Sequence, residues 1–333
     1  MGRVTHKKIA QLAGVSQSSV SKALCDSMEI GNETKQRIRR IAEETGYFGQ
    51  KKKGKRLAGS HHRPYIAILV PEIISLNYAT EATMLVKALD NIGADGRIYL
   101  SGFSTEEYER TVQEIIRNEY ADGILSFHDS IPLSNPSLPF ICITQFGVEL
   151  KGDLVSSNLT GGMRAAIQHL VDLGHSRIGF IGEKNTLPKE ELFRQVMTEF
   201  GLDSQYIYSN ENRFEMCGYS AVLKMLDSQQ LFPTALICAY DEIAYGAINE
   251  LKLYGYGVPD DFSIIGMNDV TFSKVMEPEL TTIVIHSDAL CNAAVELLDE
   301  ALHGERKAAK HIEVQCDLAV RTSTAKPRTR NLF

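Results

Sequence analysis

A chain of 333 residues that is 44% hydrophobic exceeds one ordinary domain and can bury a sizeable core, so two or three folding units are expected. The net charge of −7 hides a split: residues 1–60 carry 13 Lys and Arg against 5 Asp and Glu, a head of +8, which leaves −15 for the rest. A basic module on an acidic body suits phosphate recognition by the first sixty residues and excludes it for the remainder. Six cysteines lie far apart without a Cys-x-x-Cys pair, most of them in apolar runs such as 140–143 and 236–239. This predicts reduced, buried thiols in a cytoplasmic protein and argues against a disulfide framework or a zinc site. A charged start with no apolar segment after it, and no run long enough to span a bilayer, argue against export and membrane insertion.

Three short helical patterns fit between Thr5 and Tyr47, each opened by a residue able to cap it. Thr5 precedes a stripe of Ile9, Leu12 and Ala13; Ser16 precedes Val20, Ala23 and Leu24; Asn32 precedes Ile38, Ile41 and Ala42. The three stripes can close one small core. Between the first two lies Ala13-Gly14-Val15-Ser16, a tight turn in which Gly14 permits positive φ and Val15 can plug the angle between helices. This helix-turn-helix leaves Gln17, Ser18, Ser19, Ser21 and Lys22 outward. Gln can pair bidentately with adenine and Lys can donate to guanine, whereas serine hydroxyls suit phosphate.

The next stretch, 48–57, holds Gly49, Gly54 and the run Lys51-Lys52-Lys53. Its Gly49-(x)4-Gly54-Lys55 spacing approaches a phosphate-binding loop, but Arg56 stands where Ser or Thr is required and no apolar strand precedes it. A flexible, basic, DNA-contacting linker is expected instead, since each Gly costs a helix about 1 kcal/mol relative to Ala.

From Tyr65 onward, apolar runs of strand length alternate with longer helical patterns. Runs 66–70, 97–100, 123–127 and 140–143 form one set; 178–181, 235–239 and 263–266 form another. Such alternation predicts βαβ units, and two sets predict two doubly wound lobes with parallel sheets. Ligands of such sheets bind beyond the carboxyl ends of the strands, which selects Asn77, Tyr78, Ser126, Phe127, Thr144 and Gln145 from the first lobe. The second lobe contributes Lys189, Phe214, Tyr240 and Asn268. Amides, hydroxyls, one cation and aromatic faces suit a polyhydroxylated ligand. Phe214 and Tyr240 are equally readable as core, and Asp241 as a helix N-cap.

The head resembles the lactose/galactose repressor family of bacterial transcription regulators. The likeness rests on Thr5-(x)3-Ile9-Ala10-(x)2-Ala13-Gly14-Val15-Ser16-(x)2-Ser19-Val20-Ser21-Lys22-Ala23-Leu24, then Glu33-Thr34-(x)2-Arg37-Ile38 and Ala42-(x)3-Gly46-Tyr47. It continues through Asn158-(x)2-Gly161-Gly162, the run from His169 to Gly182, Asp241-(x)2-Ala244-(x)-Gly246-Ala247 and Leu280-Thr281-Thr282-Ile283. The resemblance implies base reading by Gln17, Ser18 and Lys22, and backbone contacts by Thr5, Ser16, Ser19 and Ser21, with Tyr47 also among the DNA-binding residues. It implies a sensor like the periplasmic sugar-binding proteins, a homodimer on double-stranded operator DNA, and a small sugar-like effector; the alternatives are a purine or nucleoside effector, or a sensor that no longer binds ligand. It calls for no cofactor, no metal and no membrane.

Relatives place a hinge helix after the tyrosine and wedge a leucine into the minor groove, a role open here to Leu57. They usually carry Arg at the places of Lys22 and Lys189, Asn at Tyr240, and often Asp at Asn268 and Thr144. Asn268-Asp269 and the run 177–182 lean toward members that respond to galactosides. Expected boundaries are 1–48 for the head, 49–63 for the linker, 64–325 for the sensor and 326–333 for a tail. An enzyme would need a phosphate-gripping Asp-x-Gly-x-Thr or a nucleophile elbow, and neither occurs.

Overall fold

The protein is described by a computed structural model that covers residues 6–24, 30–45, 63–128, 138–146, 151–228, 231–304 and 308–328. The chain forms two compact units, Met1–His62 and Arg63–Phe333. In the first, α1 (His6–Ala13), α2 (Gln17–Leu24) and α3 (Asn32–Glu44) bury Ile9, Ala10, Ala13, Val20, Ala23, Ile38 and Ala42, with Val15 and Ile41 packed against them. Gly14 turns the chain at φ +65°, the left-handed conformation that favours glycine, and Ser16 caps α2 by accepting from the Ser19 amide at 3.0 Å. Two details depart from the expected pattern. Leu12 is half exposed while Ala10 takes the inward place, and Asn32 is the first helical residue, with Gly31 accepting from Lys35 ahead of it.

The second unit carries two sheets. The strands β1 (Tyr65–Val70), β2 (Asp95–Leu100), β3 (Gly123–Ser126), β4 (Phe140–Thr144), β5 (Asp153–Asn158) and β10 (His311–Gln315) make one, in the order β10-β5-β4-β3-β1-β2, all parallel. The other joins β6 (Ile178–Ile181), β7 (Ala235–Cys238), β8 (Ser263–Met267) and β9 (Thr281–Val284) in parallel, with β11 (Asp317–Ala319) antiparallel on β9. The central strands are buried along nearly their whole length, as a sheet covered on both faces requires. Helices α4 (Leu76–Asn91), α5 (Thr105–Arg117) and α10 (Ser287–Leu302) cover the first sheet, while α6 (Leu159–Leu173), α7 (Leu187–Glu199), α8 (Glu215–Leu226) and α9 (Asp241–Leu253) cover the second.

The lobes are not consecutive in sequence. The chain passes from one to the other at 158–159, returns through 285–287 so that α10 and β10 complete the first lobe, and crosses again at 315–317. Strands β5, β9, β10 and β11 escape the sequence pattern, because β5 and β9 are rich in Ser and Thr and β10 alternates as a half-exposed edge. Crossings are tied to each other: His286 and Asp317 pair at 2.8 Å, and Asn158 donates to Gln315 at 2.9 Å. Among the described cysteines, Cys142, Cys217, Cys238 and Cys291 are buried free thiols and Cys316 is half-buried. Among the described residues no helix is long and apolar enough to cross a membrane.

Candidate functional site

Two surfaces carry polar groups in an arrangement that packing alone does not explain. On the head, Gln17, Ser18 and Lys22 are exposed along α2. Ser16, Ser18 and Ser19 are linked through their hydroxyls, with Ser16 Oγ 2.7 Å from Ser18 Oγ and 2.8 Å from Ser19 Oγ. Because Ser16 also holds the helix amino-terminus, these hydroxyls sit beside amides that favour an anion such as phosphate. The Ser21 side chain lies outside the described residues, as do Thr5, Tyr47, Leu57 and the whole basic stretch.

In the sensor, a cavity of about 250 Å³ opens between the carboxyl ends of the two sheets. Strand ends deliver Phe127, Thr144 and Gln145 from the first lobe and Tyr240 and Asn268 from the second. The start of α4 supplies Asn77 and Tyr78, that of α7 supplies Lys189, and Phe214 precedes α8. Tyr78 packs edge-on against Phe127 with centroids 5.9 Å apart, and Thr144 turns its hydroxyl onto the Phe146 carbonyl. Ser126 is the exception. It ends β3 fully buried beneath the cavity, accepting from the His128 amide at 3.3 Å and lying 3.5 Å from the Tyr108 hydroxyl, so it supports the wall without lining it.

Several wall residues are held under strain. Phe214 adopts φ +53° and Asn268 φ +99°, conformations costly for residues with a Cβ and common where a site over-determines its backbone. The Tyr240 hydroxyl fixes the first by accepting from the Phe214 amide at 3.1 Å, while donating to Glu183 Oε1 at 3.1 Å. Asp241 fixes the second. It does not cap α9, whose N-cap is Tyr240; it is the first helical residue, fully buried, and accepts from Val270 N (2.9 Å), Ser273 Oγ (2.8 Å) and Thr282 Oγ1 (2.6 Å), which pins the loop that carries Asn268.

Charged groups that sequence reasoning missed dominate the cavity. Glu72, Glu81, Glu183 and Arg213 all line it. Arg213, from the second lobe, grips Glu72 of the first through two hydrogen bonds of 2.7 and 2.6 Å, and its Nε lies 3.2 to 3.3 Å from the Glu183 carboxylate. Its guanidinium also stacks between lobes, 4.6 Å from the Phe214 ring and 5.4 Å from that of Phe103. Burial raises the Glu242 carboxyl, and the Leu76 backbone at the start of α4, across the cleft, works against that rise. Burial pulls the Lys189 ammonium down to about 8 against the carboxylates of Glu242, Glu81, Asp241 and Glu183, and it donates to the Ala239 carbonyl at 3.0 Å. Burial likewise pushes the Glu81 carboxyl up to about 7, although Ser287 donates to it at 2.8 Å. Two of the four were within reach of the strand-end argument, since Glu183 follows β6 and Glu72 follows β1 after one intervening residue each.

A three-helix head with a polar recognition helix, joined in sequence to a two-lobed α/β sensor with a polar cleft, defines a DNA-binding transcription regulator. Residues 5–50 match the family described as bacterial regulatory proteins, lacI family, and residues 167–324 match the periplasmic binding protein-like domain. The transcriptional regulator GanR of Bacillus subtilis (strain 168) is 31% identical over 353 residues, covering 96% of this chain and 99% of GanR. The transcriptional repressor CytR of Escherichia coli (strain K12) is 29% identical, with 96% of each chain covered. The chain belongs to the lacI family of bacterial regulatory proteins. These relatives are transcription regulators, not enzymes. In fold it is similar to a lac repressor dimer bound to operator and an anti-inducer (TM-score 0.72, 20% identity, 97% and 100% covered). It is also similar to a complex of the regulator CelR with cellobiose (TM-score 0.68, 23% identity, 96% and 100% covered).

Proposed function

We propose that this regulator is a cytoplasmic dimeric repressor of carbohydrate-utilisation genes, with operator affinity set by a small sugar-like effector held in the cleft. The carrying observation is that both lobes contribute polar side chains to one cavity: Asn77 and Gln145 from one, Lys189, Tyr240 and Asn268 from the other. A ligand bridging them binds the closed sensor better than the open one, and that difference is what moves an equilibrium. In this reading Gln17, Ser18 and Lys22 read bases, while Thr5, Ser16, Ser19, Ser21 and Tyr47 hold the backbone. Residues 49–63 form a basic linker in which Leu57 contacts DNA. Two heads on a near-palindrome supply the contacts that one head lacks.

Galactosides are the first ligands to try, on the strength of Asn268-Asp269 and the run 177–182. A nucleoside is the second, favoured by the aromatic faces of Tyr78, Phe127 and Phe214. Fluorescence anisotropy of labelled operator fragments, selected from random DNA by the protein itself, tests the proposal. Release by a sugar at micromolar to millimolar concentration is expected. A protein that holds its operator unchanged through sugar and nucleoside panels is a regulator without effector control.

A further inference from the structure

Phe214 stands at φ +53° and ψ −138°, a backbone region that glycine enters freely and that a residue with a Cβ keeps only where its surroundings hold it. The hold comes from Tyr240, just beyond β7. Its hydroxyl accepts from the Phe214 amide at 3.1 Å and donates to Glu183 Oε1 at 3.1 Å. Burial raises this phenol above its ordinary range, so the hydroxyl keeps its proton and remains a donor. A tyrosine hydroxyl has one O–H to give. The ring of Tyr240 therefore lines the cavity while its donor is already committed inside the second lobe.

The three groups that meet at this hydroxyl come from separate elements: Glu183 follows β6, Phe214 precedes α8 and Tyr240 follows β7. Arg213, next to Phe214 in the chain, rests on two of them. Its Nε lies 3.2 to 3.3 Å from the Glu183 carboxylate, and its guanidinium lies 4.6 Å from the Phe214 ring. The other two nitrogens cross to Glu72 of the first lobe at 2.7 and 2.6 Å. A long side chain that is already braced loses less freedom when it makes such a bridge, so bracing strengthens the bridge without adding a contact to it.

We propose that Tyr240 is a positioning residue for closure of the two lobes: its hydroxyl fixes Phe214 and Glu183 as the brace that aims Arg213 at Glu72. This goes beyond the effector reading and does not depend on which ligand enters the cleft. Among the described residues both hydrogen bonds of the hydroxyl stay in the second lobe, so its influence on the first lobe runs through Arg213.

Tyr240→Phe removes the hydroxyl and retains the ring. The test is hydrogen exchange on the full-length protein without ligand, comparing wild type, Tyr240→Phe, Glu72→Ala and the double variant. Peptides spanning 71–78, in the first lobe, should exchange about tenfold faster in Tyr240→Phe, a shift of about 1.4 kcal/mol in the closing equilibrium. Peptides spanning 212–217 should follow, with β1 and β7 at wild-type rates. Once Glu72 is Ala the braced arginine has lost its target, so adding Tyr240→Phe should speed 212–217 but leave 71–78 no faster than in Glu72→Ala alone. Wild-type exchange over 71–78 in Tyr240→Phe would confine the hydroxyl to its own lobe and overturn the proposal. Equal acceleration of 71–78 with and without Glu72 would also overturn it, because the effect would then bypass Arg213. Acceleration that spreads to β1 and β7 would mark a general loss of stability in place of opening, and overturns it as well.

Discussion

Replacing Glu72 by Ala isolates the contact that spans the cleft. The Arg213 fork makes two charge-assisted hydrogen bonds to Glu72, and hydrogen bonds to charged groups contribute about 1.5–3 kcal/mol each when buried. The pair is only partly shielded, with the Arg213 side chain 28% and that of Glu72 14% exposed, and Arg213 keeps Glu183 after the substitution, so the net loss is discounted to roughly 1–3 kcal/mol. That loss falls on the closed arrangement alone, because Glu72 and Arg213 belong to different lobes. The closed fraction should then drop by a factor of about 5 to 150, and effector affinity should weaken by up to the same factor.

Hydrogen exchange reads the opening directly. Glu72 lies just before α4 and Arg213 just before α8, so peptides spanning 71–78 and 212–217 should exchange faster in the variant, while peptides from β1, β7 and α1 to α3 keep their wild-type rates. If those cleft peptides exchange at the wild-type rate and effector affinity is unchanged, the Arg213–Glu72 pair is a passive surface contact and the closure argument is wrong.

Four further outcomes are expected. Lys22→Ala should weaken specific operator binding by about 1–3 kcal/mol with little effect on random DNA; equal loss on both would make Lys22 a phosphate contact only. Lys189→Ala should abolish the effector response and leave operator affinity without ligand intact, which anisotropy with and without sugar decides. Gly218→Ala places a Cβ 2.2 Å from the Ile243 carbonyl oxygen, where α8 and α9 meet backbone to backbone, so the sensor should lose about 3 kcal/mol or more in urea unfolding.

The fourth outcome concerns pH. Because Glu81 titrates near 7 when folded and near 4.5 when unfolded, the native sensor holds a proton that the unfolded chain has released over that interval. Stability should therefore be fully present below pH 4.5 and decline as pH rises through 7, by on the order of 1–3 kcal/mol, and Glu81→Gln should flatten that decline.

Much of the architecture was legible because its signals are local. Gly14 with Val15 and Ser16 specifies the turn between α1 and α2, and the apolar runs of β1, β7 and β8 announce strands buried on both faces. Leu12 misled, since one turn of a short helix offers two candidate inward places and Ala10 allows closer approach. The lobe crossings at 285–287 and 315–317 were invisible, because nothing in a strand's sequence states which sheet it joins. Half the cleft followed from the rule that ligands sit at strand ends. The other half did not: Glu72 and Arg213 are 141 residues apart, and their pairing arises only when the lobes face each other.

The character of that pairing bears on regulation. A sensor that must answer a small molecule needs open and closed states within a few kcal/mol, since a ligand shifts the balance only by its differential affinity. Closing the lobes with an apolar seam would not meet this condition: burying a few leucines at about 1.5–3 kcal/mol each would exceed what the ligand contributes and hold the sensor shut. Among the described residues, contacts across the cleft include the Arg213–Glu72 fork, the stacking of Arg213 on Phe103 and the Lys189–Glu81 attraction, and the charged ones are offset by the water their groups give up. A closure of that kind is weak by construction. A ligand that bridges the polar side chains of both lobes can then supply the deciding difference.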